Sequence, residues 1–157
     1  MEALVASLML WIGANSAYDT MNMPPPEIQI MSPAQLTEEY YSGSGFPADA
    51  RPDVDPRVMA LYDFEAPPHG RIYVIDPALT EGARAGEDPL ENPVFQERLL
   101  HELVHHAQRL SGAYDDFLCP AEGELEAYRL GGLFLKRRHA EDPLPNRAFW
   151  ARIYSRC

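Results

Sequence analysis

Positive charge is in short supply in this chain. Thirteen Lys and Arg face 24 Asp and Glu, for a formal net charge of −11. Such an acidic surface repels a phosphate backbone, which argues against nucleic-acid binding. Long apolar runs are also missing. The stretch from Ala3 to Ile12 is apolar but well short of the roughly 20 residues that span a bilayer. Glu2 stands ahead of it where a signal peptide carries Lys or Arg, so it reads as a buried first helix, although Asn15-Ser16-Ala17 resembles a weak cleavage region. The expectation is a soluble chain with no membrane span. Cysteine is limited to Cys119 and Cys157. As free thiols they fit the cytoplasm, the default; as a disulfide they point to export. No internal repeat or low-complexity tract breaks the 157 residues. One domain over 1–157 is therefore expected, long enough for a real hydrophobic core.

The basic charge that is present lies unevenly. Residues 129–157 hold Arg129, Lys136, Arg137, Arg138, Arg147, Arg152 and Arg156 against only Glu141 and Asp142. This basic C-terminal region either faces a partner or simply solvates a helix and favours its C-terminal end.

The apolar pattern predicts a first helix over 2–13 and an extended linker through Met23-Pro24-Pro25-Pro26. Glu27 to Met31 alternates like a strand, and Ser32-Pro33 opens a short helix to Tyr41. A Gly-, Pro- and Asp-rich loop should fill 42–56. Val58–Tyr62 and Arg71–Ile75 read as a hairpin around the Pro67-Pro68-His69-Gly70 turn. Beyond a polar loop over 80–93, Val94 to Leu110 is helical, with Gly112 ending it. A second helix follows over 120–139 and a last one over 146–154. The class is α+β, with a small antiparallel or mixed sheet packed on several helices.

Inside the 94–110 helix stands His101-Glu102-Leu103-Val104-His105, an H-E-x-x-H pattern. Two residues four apart on a helix sit about 40° from each other, one turn up the axis. Both imidazoles can therefore reach one metal ion, with Glu102 beside them and not itself a ligand. A catalytic zinc needs a third protein ligand and keeps one position for water. The segment Glu122-Gly123-Glu124-Leu125-Glu126-Ala127-Tyr128 supplies carboxylates on the next helix. Glu124 shares a face with Ala127, Tyr128 and Gly131, small enough overall for close helix approach, and is the preferred ligand, with Glu126 in reserve. Cys119 as a fourth ligand would instead close the site. His106 points about 100° from His105 and reads as a packing residue; His69 and His139 read as surface histidines.

H-E-L-V-H at 101–105 followed by E-L-E-A-Y-R-L-G at 124–131 resembles the gluzincin branch of zinc metallopeptidases. It is similar above all to the CAAX-processing and heat-shock-type peptidases, whose second motif is E-x-x-A-D. The resemblance covers roughly residues 71–135 and implies a zincin-like fold. It implies one Zn²⁺ per chain held by His101, His105 and Glu124, with Glu102 as general acid/base in peptide hydrolysis. It also implies an antiparallel edge strand that aligns an extended peptide or protein substrate, here Arg71, Ile72, Tyr73, Val74 and Ile75. Gluzincins often use Tyr or His on the oxyanion; Tyr114, Tyr128 and His139 are the candidates. Three features depart from the pattern. Tyr128 stands where the family carries a histidine-orienting Asp. Arg98 lies three before His101, where zincins carry a small or β-branched residue. The family's transmembrane helices have no counterpart. The expectation is a zinc-dependent peptidase, or alternatively an inactive zincin-fold protein that binds metal or a partner.

Overall fold

The fold is α+β and its centre is one short strand. In the computed structural model, which describes residues 1–42 and 45–157, β3 (Arg71–Ile75) lies between two others, β1 (Glu27–Met31) and β2 (Ala60–Asp63). β1 runs parallel to β3, pairing Glu27 with Arg71 and Met31 with Ile75. β2 runs antiparallel, pairing Ala60 with Val74 and Asp63 with Arg71. Alternate side chains of a strand point to opposite faces, so β3 serves two cores. Ile72 and Val74 enter the larger one, with Leu8 and Ile12 of α1 (Glu2–Asn15) and the apolar side of α3 (Pro93–Leu110). Tyr73 and Ile75 face Leu36 of α2 (Pro33–Ser42), Met31 and Val58.

The α3 helix begins where the sequence says it should. The Asn92 side chain accepts a hydrogen bond from the Val94 amide at 2.9 Å, and Pro93 occupies the first helical position. Phe95, Leu99, Leu100, Leu103 and Val104 are fully buried, each contributing about 1.5–3 kcal/mol by leaving water. A second stripe on α3 is polar: Glu97, His101, His105 and Gln108, at spacings of four, four and three. It faces α4 (Glu124–Arg137) and α5 (Arg147–Tyr154). Glu97 receives Arg147 at 2.7 Å, and Arg147 also binds Asp142. Both Glu97 and Arg147 are buried, at 7% and 10% side-chain exposure. A Cβ on Gly131 would collide with the Glu97 carboxylate, so a bare backbone there lets α4 close on the ion pair.

Several expectations change. Arg71–Ile75 is not an edge strand. It is hydrogen-bonded on both sides, because its run of buried side chains suits a strand covered on both faces; β2 is the edge strand against α3. The helix expected from Pro120 opens with a 3-10 turn, Pro120–Gly123, before α4. The loop expected over 42–56 contains a 3-10 turn at Ala48–Ala50, and its residues 43 and 44 lie outside the described residues. Cys119 and Cys157 form a disulfide with Cα atoms 5.8 Å apart, tying the segment after α5 to the entry of α4. The basic C-terminal region is partly spent within the chain: Arg147 is buried, and Arg129 and Arg138 pair with Glu126 and Glu91. No helix among the described residues is long and apolar enough to cross a membrane.

Breaking a buried ion pair strands a charge, which costs more than removing both partners. Arg147→Met should therefore destabilise the protein by about 3–5 kcal/mol in chemical denaturation, and the double variant Glu97→Met/Arg147→Met should recover a large part of that loss. Equal costs for the single and double variants would contradict the burial argument.

Candidate metal centre

The polar stripe of α3 meets α4 with the chain directions opposed: Gln108 reaches Gly123, His101 reaches Glu124, and Glu97 lies against Gly131. His101 and His105 lie one turn apart with their Nε2 atoms at 3.2 Å. Glu124, the first residue of α4, brings Oε2 to 3.1 Å from the His101 Nε2 and Oε1 to 3.4 Å from the His105 Nε2. Ligands about 2.0–2.1 Å from a tetrahedral zinc lie roughly 3.3 Å from one another. The three donors are of the right chemical types and already stand at that spacing. They form the one group among the described residues with three ligand-type side chains gathered for a metal.

Gln108 sets the tautomer of His105. Its side-chain amide donates to the Gly123 carbonyl at 2.9 Å, which leaves Oε1 to face the His105 Nδ1 at 2.9 Å. The reverse orientation would set two carbonyl oxygens against each other. His105 therefore carries its proton on Nδ1 and turns the Nε2 lone pair toward Glu124. While His105 is neutral, two acceptors face each other there, so the pocket calls for positive charge, either a proton on the imidazole or a metal ion. Burial alone would lower the His105 pKa, but Glu124, Glu102 and Gln108 outweigh it and raise it. Burial likewise works to raise the Glu124 carboxyl, but the hydrogen bonds that His101 and His105 donate when Nε2 carries a proton hold it well below the usual carboxylate range. Gly123 is part of this device: a Cβ there would stand 2.6 Å from the Gln108 Oε1.

A family profile described as a domain of unknown function, DUF6647, matches residues 1–155. The chain belongs to the DUF6647 family. No curated protein and no solved structure matches it.

Around the three donors of this DUF6647 chain opens a cleft of about 520 Å³, lined by Glu102, Tyr114, Tyr128 and Tyr154 and by Ala60, Leu61 and Tyr62 of edge strand β2. Glu102 enters no hydrogen bond or ion pair among the described residues. Desolvation raises its pKa, against the pull of His101 and His105. The Tyr114 hydroxyl lies 3.3 Å from the His105 Nδ1, and burial pushes its pKa up to about 12. Tyr128 sets its ring edge-on to His101, with centroids 4.8 Å apart, and stacks on Tyr154 at 5.8 Å.

The structure thus brings together His101, His105, Glu124, Glu102, Tyr114 and Tyr128. It does not bring the rest. Glu126 is turned toward Tyr18, which donates to it, and toward Arg129. Cys119 is consumed by the disulfide and is no ligand. His139 is exposed beyond the far end of α4, some 15 residues or about 22 Å of helix from Glu124, and has no place in the cleft. β3 lies behind β2 and lines no part of it. His106 is a fully buried packing residue: it donates from Nε2 to the Pro24 carbonyl at 2.8 Å and accepts the Tyr62 hydroxyl on Nδ1 at 3.0 Å. Gln108 was not anticipated, although its position three residues after His105 on the same face was a sufficient signal. Glu97 was missed as well, because its partner Arg147 lies 50 residues away.

Replacing Gln108 by Leu keeps the bulk and removes the acceptor. The Gln108→Leu variant should bind zinc about 10- to 100-fold more weakly in a chelator competition assay. Unchanged affinity would show that the His105 orientation does not depend on Gln108.

Proposed function

We propose that this chain is a zinc-dependent hydrolase that cleaves peptide bonds, built on a zincin-like arrangement of α3 and α4. The convergence of His101, His105 and Glu124 beside an unpaired Glu102 carries this reading. His101, His105 and Glu124 would hold one Zn²⁺ per chain. When bound, the ion supplies a Lewis acid that polarises a carbonyl and lowers the pKa of water to about 7.

The chain's own groups do the remaining work. Glu102, desolvated and with raised proton affinity, takes the proton of the attacking water and returns it to the leaving amine. The Tyr114 and Tyr128 hydroxyls line the same cleft and stay protonated at neutral pH, as donors to a developing oxyanion must. The free edge of β2 offers backbone donors and acceptors to an extended peptide or protein, in the role expected of β3. The Cys119–Cys157 disulfide fits an oxidising compartment, so the proposed site of action is outside the reducing cytoplasm.

One observation favours a second reading, a protein that binds zinc without hydrolysing anything. Tyr128 packs against His101 but enters no hydrogen bond among the described residues, so it does not orient that ligand as an aspartate would.

Purified protein equilibrated with zinc should hold about one equivalent by elemental analysis, falling to background in His101→Ala and Glu124→Ala. Less than roughly a tenth of an equivalent in the wild type would overturn the metal site. Glu102→Gln should keep the zinc and lose peptide cleavage by about 10²- to 10⁴-fold. Equal cleavage by wild type and Glu102→Gln would remove Glu102 from the chemistry, and a zinc-loaded wild type that cleaves no unfolded protein would favour the binding-only reading.

A further inference from the structure

A second recess, of about 430 Å³, adjoins the candidate centre. It shares Ala60, His101, Glu102 and Tyr128 with the first cleft and extends to Met59, Glu81 and Arg98. Arg98 precedes His101 by three residues and Glu102 by four, so all three side chains leave the same side of α3. The other guanidinium groups of this recess are committed. Arg57 forks onto Asp55 through Nε and Nη2, at 2.9 and 2.7 Å. Arg147 is shared between Glu97 and Asp142. Among the described residues Arg98 alone of these enters no hydrogen bond or ion pair, and its Nη1 is buried without an acceptor.

A guanidinium nitrogen withdrawn from water with no partner is unfavourable, and native folds rarely keep one without use. Glu97, its sequence neighbour, is already taken by Arg147. Glu81 stands across the same recess but is exposed and makes no ion pair with Arg98. A guanidinium is a planar fork whose geometry matches a carboxylate at two points. Arg98 lines this recess, so its fork lies within reach of an entering anion. In a chain of net charge −11, a guanidinium beside the centre that feels Glu97 and Glu81 only through space, with no ion pair, is a selective element, not part of a general positive field.

We propose that Arg98 forms a carboxylate-binding subsite next to the metal centre, so that preferred substrates carry a carboxylate close to the scissile bond. The inference rests on the metallohydrolase reading for the position of that bond. The carboxylate is either the free C-terminus of a peptide or an Asp or Glu side chain.

The test uses probes that anchor at zinc and differ only in the distal group: the monohydroxamates of succinic, glutaric and adipic acid, and their terminal amides. Zinc-loaded wild-type protein should bind the best-fitting acid about 10-fold or more tightly than its amide. Arg98→Met should erase that preference with zinc content unchanged. Arg98→Lys should keep part of it, and melting temperatures would confirm that both variants are folded. In peptide cleavage, comparing a C-terminal acid with its amide, and an internal Glu with Gln, separates the two sources through KM. An acid preference equal in wild type and Arg98→Met, or none in either, overturns the subsite and leaves the metal reading intact. Absence of both zinc and hydroxamate binding overturns the metal reading and the subsite with it.

Discussion

The structure depends on how α3 meets α4. Four polar residues of α3, Glu97, His101, His105 and Gln108, point into a seam that would otherwise be apolar. Polar groups withdrawn from water must find partners or the fold loses several kcal/mol. Each of these does: Glu97 in Arg147, the two histidines in Glu124, and Gln108 in the Gly123 carbonyl. The partners come from α5, from α4 and from the turn that leads into α4, so the seam also fixes where α4 begins and where α5 lies. Small residues at Gly123 and Gly131 set the helix spacing that makes these contacts reach. The candidate centre is a section of that seam, and the contact of His105 with Glu124 is where the seam calls for positive charge, a proton on the imidazole or a metal ion.

Much of this was legible in the residues. The helical period placed both histidines on one face and gave α3 its bounds to within a residue. The acidic helix after a short connection supplied Glu124, and its small neighbours Ala127 and Gly131 signalled close approach. Gln108 could have been read from the same period. What was not legible involves pairing over distance. The order of β1, β3 and β2, with a parallel pair in it, depends on contacts more than 40 residues apart, and a hairpin pattern says nothing about which strand becomes the edge. The continuous burial of Ile72 to Ile75 was the available hint. His139 fell to a simpler argument, since it lies past the far end of the helix that Glu124 begins.

The cleft that results has distinct walls. β2 borders it with a strand edge that has no partner among the described residues, α3 lays Glu102 and the histidines along its floor, and Tyr114 and Tyr128 enclose it with hydroxyls held protonated by burial. Beyond His101 the wall turns cationic at Arg98. The disulfide from Cys119 to Cys157 secures the segment leading into Glu124, so the third donor is held by a covalent tie as well as by the seam. Tyr128 is the residue on which the proposed hydrolysis and a binding-only role diverge, because among the described residues it meets His101 by ring contact alone.

X-ray absorption spectroscopy of the zinc-loaded protein examines the central claim most directly. Two imidazole nitrogens at about 2.0–2.1 Å, with oxygen completing a four-coordinate shell and no sulfur, is the spectrum this arrangement predicts. Sulfur scattering near roughly 2.3 Å, or a shell of oxygen without imidazole, would contradict it.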